Sequence, residues 1–391
     1  MRNTPRFIEL VTLLSSLMLL GGCTALGNLF DNPDNTAKPS PLVDFKPTVT
    51  VRTVWQRHVG TGAGKLFLKL RPAIDGDRVY AATRGGSVQA FDARTGESIW
   101  DTETDSPLSG GPGIGDGLVL LGTSDGEVLA LSEKDGALKW RARVSSEVLS
   151  APQAQGGIAV ARTIDGKLFG LNTDDGTRLW VYDRTAPVLT LRGTSSPALA
   201  EGAAIAGFDN GQVVAIALGN GQALWETRVA VPRGRTELER MVDIDADPII
   251  KDRTVYAVTY QGQIAALKLF SGEVIWRRDM SSHAGLGVGP DNVYVVDDAS
   301  HVWALNRANN ASVWRQSKLE ARRLSPPAVF GQFVVVGDFE GYVHWLRKED
   351  GQFAARVRLD SDAIVAAPVA TSFAVYVYGS GGDLAALQIV Q

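Results

Sequence analysis

Cysteine and histidine are scarce in this chain, and their placement narrows the chemistry open to it. Of 391 residues one is Cys and four are His, namely Cys23, His58, His283, His301 and His344. A single Cys allows no internal disulfide and no Cys-based metal centre. The four His lie in separate stretches without the spacing of a metal set. Asp298, Ser300 and His301 include the residue types of a nucleophilic relay, but inside one tight turn they cannot line up as nucleophile, base and orienting group. Gly110-Gly-Pro-Gly-Ile-Gly115 and Gly285-Leu-Gly-Val-Gly289 carry the glycines of a phosphate cradle. Neither opens a helix, and such a cradle depends on a helix N-terminus. No catalytic residue, cofactor ligand or metal ligand is therefore assigned. The formal net charge of −4, without blocks of Lys or Arg, also lacks the electrostatic footprint of a nucleic-acid binder.

The one thiol has a context of its own. Arg2 and Arg6 precede an apolar run from Leu10 to Leu20, too short for a comfortable membrane span and arranged as a secretory leader. The run ends Leu20-Gly21-Gly22-Cys23, which resembles the bacterial lipobox: an aliphatic residue, two small residues that let a peptidase approach, and a thiol that accepts a diacylglyceryl group. An ordinary cleaved leader with a chance Cys is the alternative, and the position of the only Cys in the chain argues against it. Thr24 follows, not the Asp of inner-membrane retention, so the pattern implies sorting to the outer membrane. Residues 1–22 are read as a lipoprotein signal peptide, Cys23 as the lipid attachment site, and 23–47 as a polar, Pro-containing tether, flexible or extended.

What remains must be a frame, and its sequence is periodic. A Gly followed four residues later by Trp recurs as Gly96/Trp100, Gly136/Trp140, Gly176/Trp180, Gly221/Trp225 and Gly272/Trp276. Asn310/Trp314 keeps the spacing with Asn, and Gly351/Ala355 keeps it without Trp. Each unit holds four short β-runs separated by turn residues, consistent with 42 Gly, 17 Pro and 45% hydrophobic residues. Units begin near residues 71, 111, 151, 196, 247, 285, 326 and 367. The last contains three runs, and Val49 to His58 matches the missing fourth. An amino-terminal strand that completes the last unit closes a ring and removes its open sheet edges. Residues 48–391 are thus expected to form an all-β, eight-bladed propeller of four-stranded antiparallel blades. The periodic Trp are assigned to packing between blades. The Asp-Gly and Asn-Gly pairs are assigned to turns; no unit carries the alternating carboxylates of a calcium loop.

On a repetitive scaffold, function concentrates where the repeat is broken. Successive unit starts are 40, 40, 45, 51, 38, 41 and 41 residues apart. The excess falls in two inter-blade links, Thr185–Ser195 and Ala230–Ala246, which flank the fourth blade and project from one face. The first exposes Val188, Leu189 and Leu191 beside Arg192, the composition of an interface hot spot; alternatively, Leu189 and Leu191 plug the propeller's own core. In the second, Thr236 and Glu239 have the spacing of a capping box, which predicts a short helix. Asp243 and Asp245 alternate with Val242 and Ile244, placing both carboxylates on one side of an extended segment, either towards a partner or simply solvated.

The repeat of residues 48–391 resembles that of pyrroloquinoline-quinone dehydrogenases. Those enzymes typically carry a vicinal Cys pair, which the single Cys23 excludes. Lipobox, tether, eight blades and two inserts together resemble the BamB family, the propeller lipoproteins of the β-barrel assembly machinery. The most specific matches are Leu189-Thr-Leu-Arg192-Gly, Glu239-Arg-Met-Val-Asp243-Ile-Asp245 and Val335-Val-Gly-Asp-Phe-Glu-Gly-Tyr-Val-His-Trp345. The resemblance implies a non-catalytic scaffold without cofactor, held by lipid on the periplasmic side of the outer membrane. It implies contact with the POTRA domains of BamA and with other subunits of that machinery, and assistance to unfolded outer-membrane β-barrel proteins. Leu189, Leu191, Arg192, Asp243 and Asp245 are the partner-binding residues carried over. A degenerate quinoprotein-type enzyme and a periplasmic ligand- or polysaccharide-binding propeller are the alternatives.

Overall fold

The computed structural model of the protein describes residues 37–64, 68–184, 187 and 189–390. The leader, Cys23 and the tether up to residue 36 lie outside the described residues, as does Val188. From residue 40 on, the chain forms eight four-stranded antiparallel sheets. Blade one runs from Ala73–Asp75 to Ser98–Glu103, blade two from Leu108–Gly115 to Leu138–Arg143, blade three from Gln153–Gln155 to Arg178–Tyr182, and blade four from Ala198–Ala200 to Ala223–Arg228. Blade five runs from Ile249–Lys251 to Val274–Asp279, blade six from Gly285–Val288 to Ser312–Gln316, and blade seven from Ala328–Phe330 to Phe353–Arg358. Blade eight joins Val369–Ala370, Val375–Tyr378 and Asp383–Val390 to the amino-terminal strand Thr50–His58. The closing pair is in register from Thr50 opposite Val390 to His58 opposite Asp383. This is the expected eight-bladed ring, closed as expected.

Burial follows strand position. Second strands such as Leu118–Thr123 are buried on both faces, because each lies between two neighbouring blades; continuous apolar runs are the sequence consequence. Fourth strands on the rim alternate, as in Leu138–Arg143, where Trp140 and Ala142 are buried and their neighbours exposed.

The Gly-x-x-x-Trp repeat is explained by contacts across blades. Each indole N–H donates to a carbonyl of the next blade: Trp55 to Ala93 at 2.9 Å, Trp180 to Leu218 at 2.6 Å, Trp225 to Leu269 at 2.8 Å. The Gly of each turn receives not its own Trp but that of the blade before. A Cβ on Gly221 would lie 2.8 Å from the Trp180 ring, and one on Gly96 would lie 2.6 Å from Trp55. Gly221 is also held at φ 72°. Gly221→Ala is therefore expected to cost about 1–3 kcal/mol by overpacking, with roughly 1 kcal/mol more for the left-handed backbone, measurable as a lower urea midpoint. Asn310 takes the same left-handed conformation, at φ 56°, which Asn tolerates. Blade seven has Ala355 in place of Trp because its neighbour is the composite blade. No turn joins Asp383–Val390 to Thr50–His58 there, so no turn Gly waits for an indole; Val49, Val51 and Ile389 fill the interface instead.

Part of the tether segment is extended along blade seven. The Ser40 amide donates to Glu320 O at 3.0 Å and the Thr48 amide to Ala354 O at 2.9 Å. Arg322 and Arg356 donate to the carbonyls of Ser40 and Val43, each at 3.1 Å. Phe45 stacks on Phe353 with centroids 5.2 Å apart.

Candidate functional site

The two long links meet. The Leu191 amide donates to a carboxylate oxygen of Asp243, and a Cβ on Gly193 would lie 3.0 Å from the Asp245 carboxyl carbon. Residues 189–193 thus rest on the second insert as a raised segment, tightened by a hydrogen bond from the Gly193 amide to Leu191 O at 3.0 Å. Leu189 is 42% exposed, Leu191 is half-buried and Arg192 is exposed. The exposed arrangement, not the core plug, is the one formed. Arg192 pairs with Glu147 at 2.8 Å, where Glu147 sits in the link between blades two and three.

The second insert turns inward for a reason visible in its residues. Met241, Val242 and Ile244 are buried, and the chain is pinned by the Ile244 amide to Phe208 O at 3.3 Å and the Tyr260 amide to Asp243 O at 2.9 Å. The expected helix at Thr236 does not form. Its capping box does close, with the Glu239 amide on Thr236 Oγ1 at 3.2 Å and the Thr236 amide on Glu239 Oε2 at 3.2 Å, but around an isolated turn. Burial of Met241 and Val242 pulls the chain straight before a second helical turn can begin, and one turn alone is unstable.

Neither Asp is solvated. Asp243 is 1% exposed and Asp245 6%; their carboxylates lie under the raised segment. Burial pushes the Asp243 carboxyl up to about 7; the Leu191 amide opposes this, nearby Asp245 and Asp209 add to it, and Arg162 counteracts it. Burial likewise raises Asp245 to about 6, with the Lys69 ammonium opposing. Lys69 Nζ also donates to the Asp245 carbonyl at 3.1 Å.

A carboxyl whose pKa is higher in the fold than the ordinary 3.8 binds more protons folded than unfolded between those two values. Its contribution to stability is therefore most favourable at the acid end and declines as pH rises from about 4 to about 7. Asp243→Asn should remove most of that slope. Urea midpoints at pH 5 and pH 8 test this: the difference should be smaller in the variant, and the variant should be the more stable at pH 8.

Beneath the inserts lies a buried ion pair that the sequence reading did not find. Arg162, fully buried at the end of the second strand of blade three, meets Asp209 of blade four at 2.5 Å and Ser195 Oγ at 3.2 Å. Its guanidinium lies 5.1 Å from the centroid of the Phe208 ring. A signal existed. The fifth residue of the second strand is Ala82, Gly122, Arg162, Gly207, Val258, Val296 and Gly337 in blades one to seven, and Arg162 is the one charge among them.

The His and Asp residues with catalytic potential pair off locally. Asp298 accepts from His283 at 2.7 Å and from Ser281, while His301 pairs with Asp297 at 2.9 Å. His344 pairs with Asp338 at 2.9 Å in the core of blade seven, beside Arg322. Among the described residues, no group of three or more His, Cys, Asp or Glu is placed to hold a metal ion. The Gly-rich stretches are first strands packed around the channel; a Cβ on Gly287 would lie 2.3 Å from Pro327 O.

Comparison with known proteins agrees with this geometry. A family model described as "Outer membrane protein assembly factor BamB" matches residues 84–316. The protein of that name from Pseudomonas aeruginosa is 51% identical over 377 residues, 96% of this chain and 98% of that one. The crystal structure of BamB from Moraxella catarrhalis superposes with a TM-score of 0.80 at 26% identity, covering 87% of this chain and all of that one. Quinohemoprotein alcohol dehydrogenase from Comamonas testosteroni superposes with a TM-score of 0.69 at 12% identity, a likeness of fold alone. Identity at that level over nearly the whole length places the chain in the BamB family of outer membrane protein assembly factors.

Proposed function

We propose that this protein is a non-catalytic scaffold of the β-barrel assembly machinery, docking on the POTRA domains of BamA through its two long links. The observation that carries the reading is the raised segment Leu189–Arg192, which offers an apolar pair and a planar cation while the buried Asp243 carboxylate holds its backbone. Leu189, Leu191 and Arg192 make the contact. Asp243 and Asp245 act from below, fixing the segment in its docking conformation so that little ordering entropy is lost on binding. A triacylated Cys23 anchors the chain to the inner leaflet of the outer membrane, since several acyl chains give stable attachment. The rim adds a surface for unfolded outer-membrane proteins. Fourth strands expose Leu179, Leu224, Ile275 and Val313, each one residue before a Trp, and such edges take extended segments by β-augmentation.

Capture of purified BamA POTRA domains by the wild-type protein and by Arg192→Ala tests the docking surface. Wild type should retain the POTRA domains and the variant should lose most of them; equal capture by both would remove Arg192 from the interface.

A further inference from the structure

The amino-terminal strand begins on the face of the ring away from the inserts. Thr50 stands opposite Val390 and His58 opposite Asp383, and Asp383 follows the turn at 379–382 that joins the second and third strands contributed by the last unit. The second and fourth strands of an antiparallel blade run in the same direction. The turn after the second strand therefore shares a face with the link after the fourth. His58 lies at that insert face and Thr50 at the far one. A chain leading straight into Thr50 would enter there, across the ring from the inserts.

It does not enter there. Residues 40–48 run along the rim of blade seven from the insert face to the far face. At the insert face the Ser40 amide donates to Glu320 O at 3.0 Å, and Arg322 donates to Ser40 O at 3.1 Å. Residues 320 and 322 lie in the link between blades six and seven. Further along, Arg356 donates to Val43 O at 3.1 Å, with its guanidinium 5.1 Å from the Phe45 centroid and 5.3 Å from that of Phe353. Near the far face Phe45 stacks on Phe353 and the Thr48 amide donates to Ala354 O at 2.9 Å; both partners begin the fourth strand.

The rim of blade seven is shaped for this crossing. Leu179, Leu224, Ile275 and Val313 stand exposed one residue before the Trp of blades three to six. The matching residue of blade seven is Ala354, small and fully buried. Leu42, Val43 and Phe45 pack against the cluster that holds Leu319, Leu324 and Phe353. The blade also fixes the two donors. Arg322 is held by Asp338 at 2.8 Å and by Glu340, and Arg356 by His344 Nδ1 at 3.2 Å.

We infer that residues 40–48 are a strap that moves the exit of the tether from the far face to the insert face, so that membrane attachment and partner docking act on the same side of the ring. The membrane half of this inference rests on the reading of Cys23 as the lipid attachment site. From Cys23 to Ser40 a fully extended chain spans at most about 60 Å, so the exit face biases which face lies towards the bilayer.

The acylated full chain is placed in lipid nanodiscs with one engineered thiol for a dye. The thiol is either Leu238→Cys on the second insert or Phe270→Cys in the turn before the fourth strand of blade five, on the far face; both positions are exposed. Because Cys23 is the one natural cysteine and is acylated, the dye reaches the engineered thiol alone. Energy transfer to a headgroup-labelled lipid should be at least twofold greater from residue 238 than from residue 270. The triple variant Leu42→Ser, Val43→Ser and Phe45→Ser, which leaves every blade residue unchanged, should cancel that difference. Hydrogen exchange read by mass spectrometry should be at least tenfold slower over residues 40–48 in the wild type than in the triple variant, with the blades equally protected in both. Equal transfer from the two positions in a nanodisc-bound wild-type chain, or exchange over 40–48 as fast in the wild type as in the variant, would overturn the proposal. A chain that does not join the nanodiscs defeats the anchor reading instead, and the exchange rates then decide the strap by themselves.

Discussion

Asp209→Ala is expected to lower the unfolding free energy by about 3–5 kcal/mol, the usual penalty for leaving one partner of a buried ion pair uncompensated. Arg162 has no route to water, since its side chain is fully buried, and among the described residues its other hydrogen bond goes to a single hydroxyl, with the face of Phe208 beside it. Without Asp209 a guanidinium that cannot be neutralised loses its direct ion-pair partner in the seam between blades three and four, with Asp243 and Asp245 left to act on it only through space. Urea unfolding measures the loss. Arg162→Met combined with Asp209→Leu should recover most of it, because apolar groups of similar size need no counter-charge. If Asp209→Ala unfolds at the wild-type midpoint, the pair does not hold this seam. The consequence extends to docking, since Ser195, which Arg162 also binds, ends the first insert.

The second large effect concerns affinity. Arg192→Ala and Asp243→Ala are each expected to weaken POTRA binding by roughly 2 kcal/mol, about thirtyfold, the scale of a central interface residue. They should do so differently. Arg192→Ala removes an exposed cation and leaves the segment in place. Asp243→Ala removes the acceptor for the Leu191 amide, so the segment must be ordered at the moment of binding. Asp243→Asn restores an acceptor and should regain most of the affinity, whereas Arg192→Lys, which lacks the planar fork, should regain little. Surface plasmon resonance against immobilised POTRA domains separates the cases. If Asp243→Asn binds no better than Asp243→Ala, the carboxylate acts by its charge and not as a support for the Leu191 amide.

Most of the ring was legible in the residues, because each blade repeats a local code. Gly or Asn at a turn requiring positive φ, apolar runs on strands buried from both sides, and Trp at one place per unit all depend on near neighbours or on identical neighbours. The stray strand Val49–His58 could be paired with the last unit because seven others showed what was missing. The same ruler located the two inserts at the links around blade four. It could not say which Trp each Gly serves. That pairing runs between blades, so Gly96 answers to Trp55 and Ala355 is explained only by the missing turn of blade eight.

Within the inserts, local pattern and tertiary packing parted. The spacing of Thr236 and Glu239 correctly implied their reciprocal hydrogen bonds, yet no helix followed, because Met241 and Val242 gain more by burial than a single helical turn can offer. Alternation correctly placed Asp243 and Asp245 on one side of the segment, but sequence periodicity carries no information about what lies on that side. Here it is the Leu189–Arg192 backbone and the Arg162–Asp209 pair, brought from two blades by closure of the ring. The sequence by itself thus determined the propeller, its seam and the position of the two inserts proposed as the docking surface, since these rest on repetition. Only the tertiary structure decided that the carboxylates support the surface from beneath, because desolvation and charge pairing depend on residues far apart in the chain.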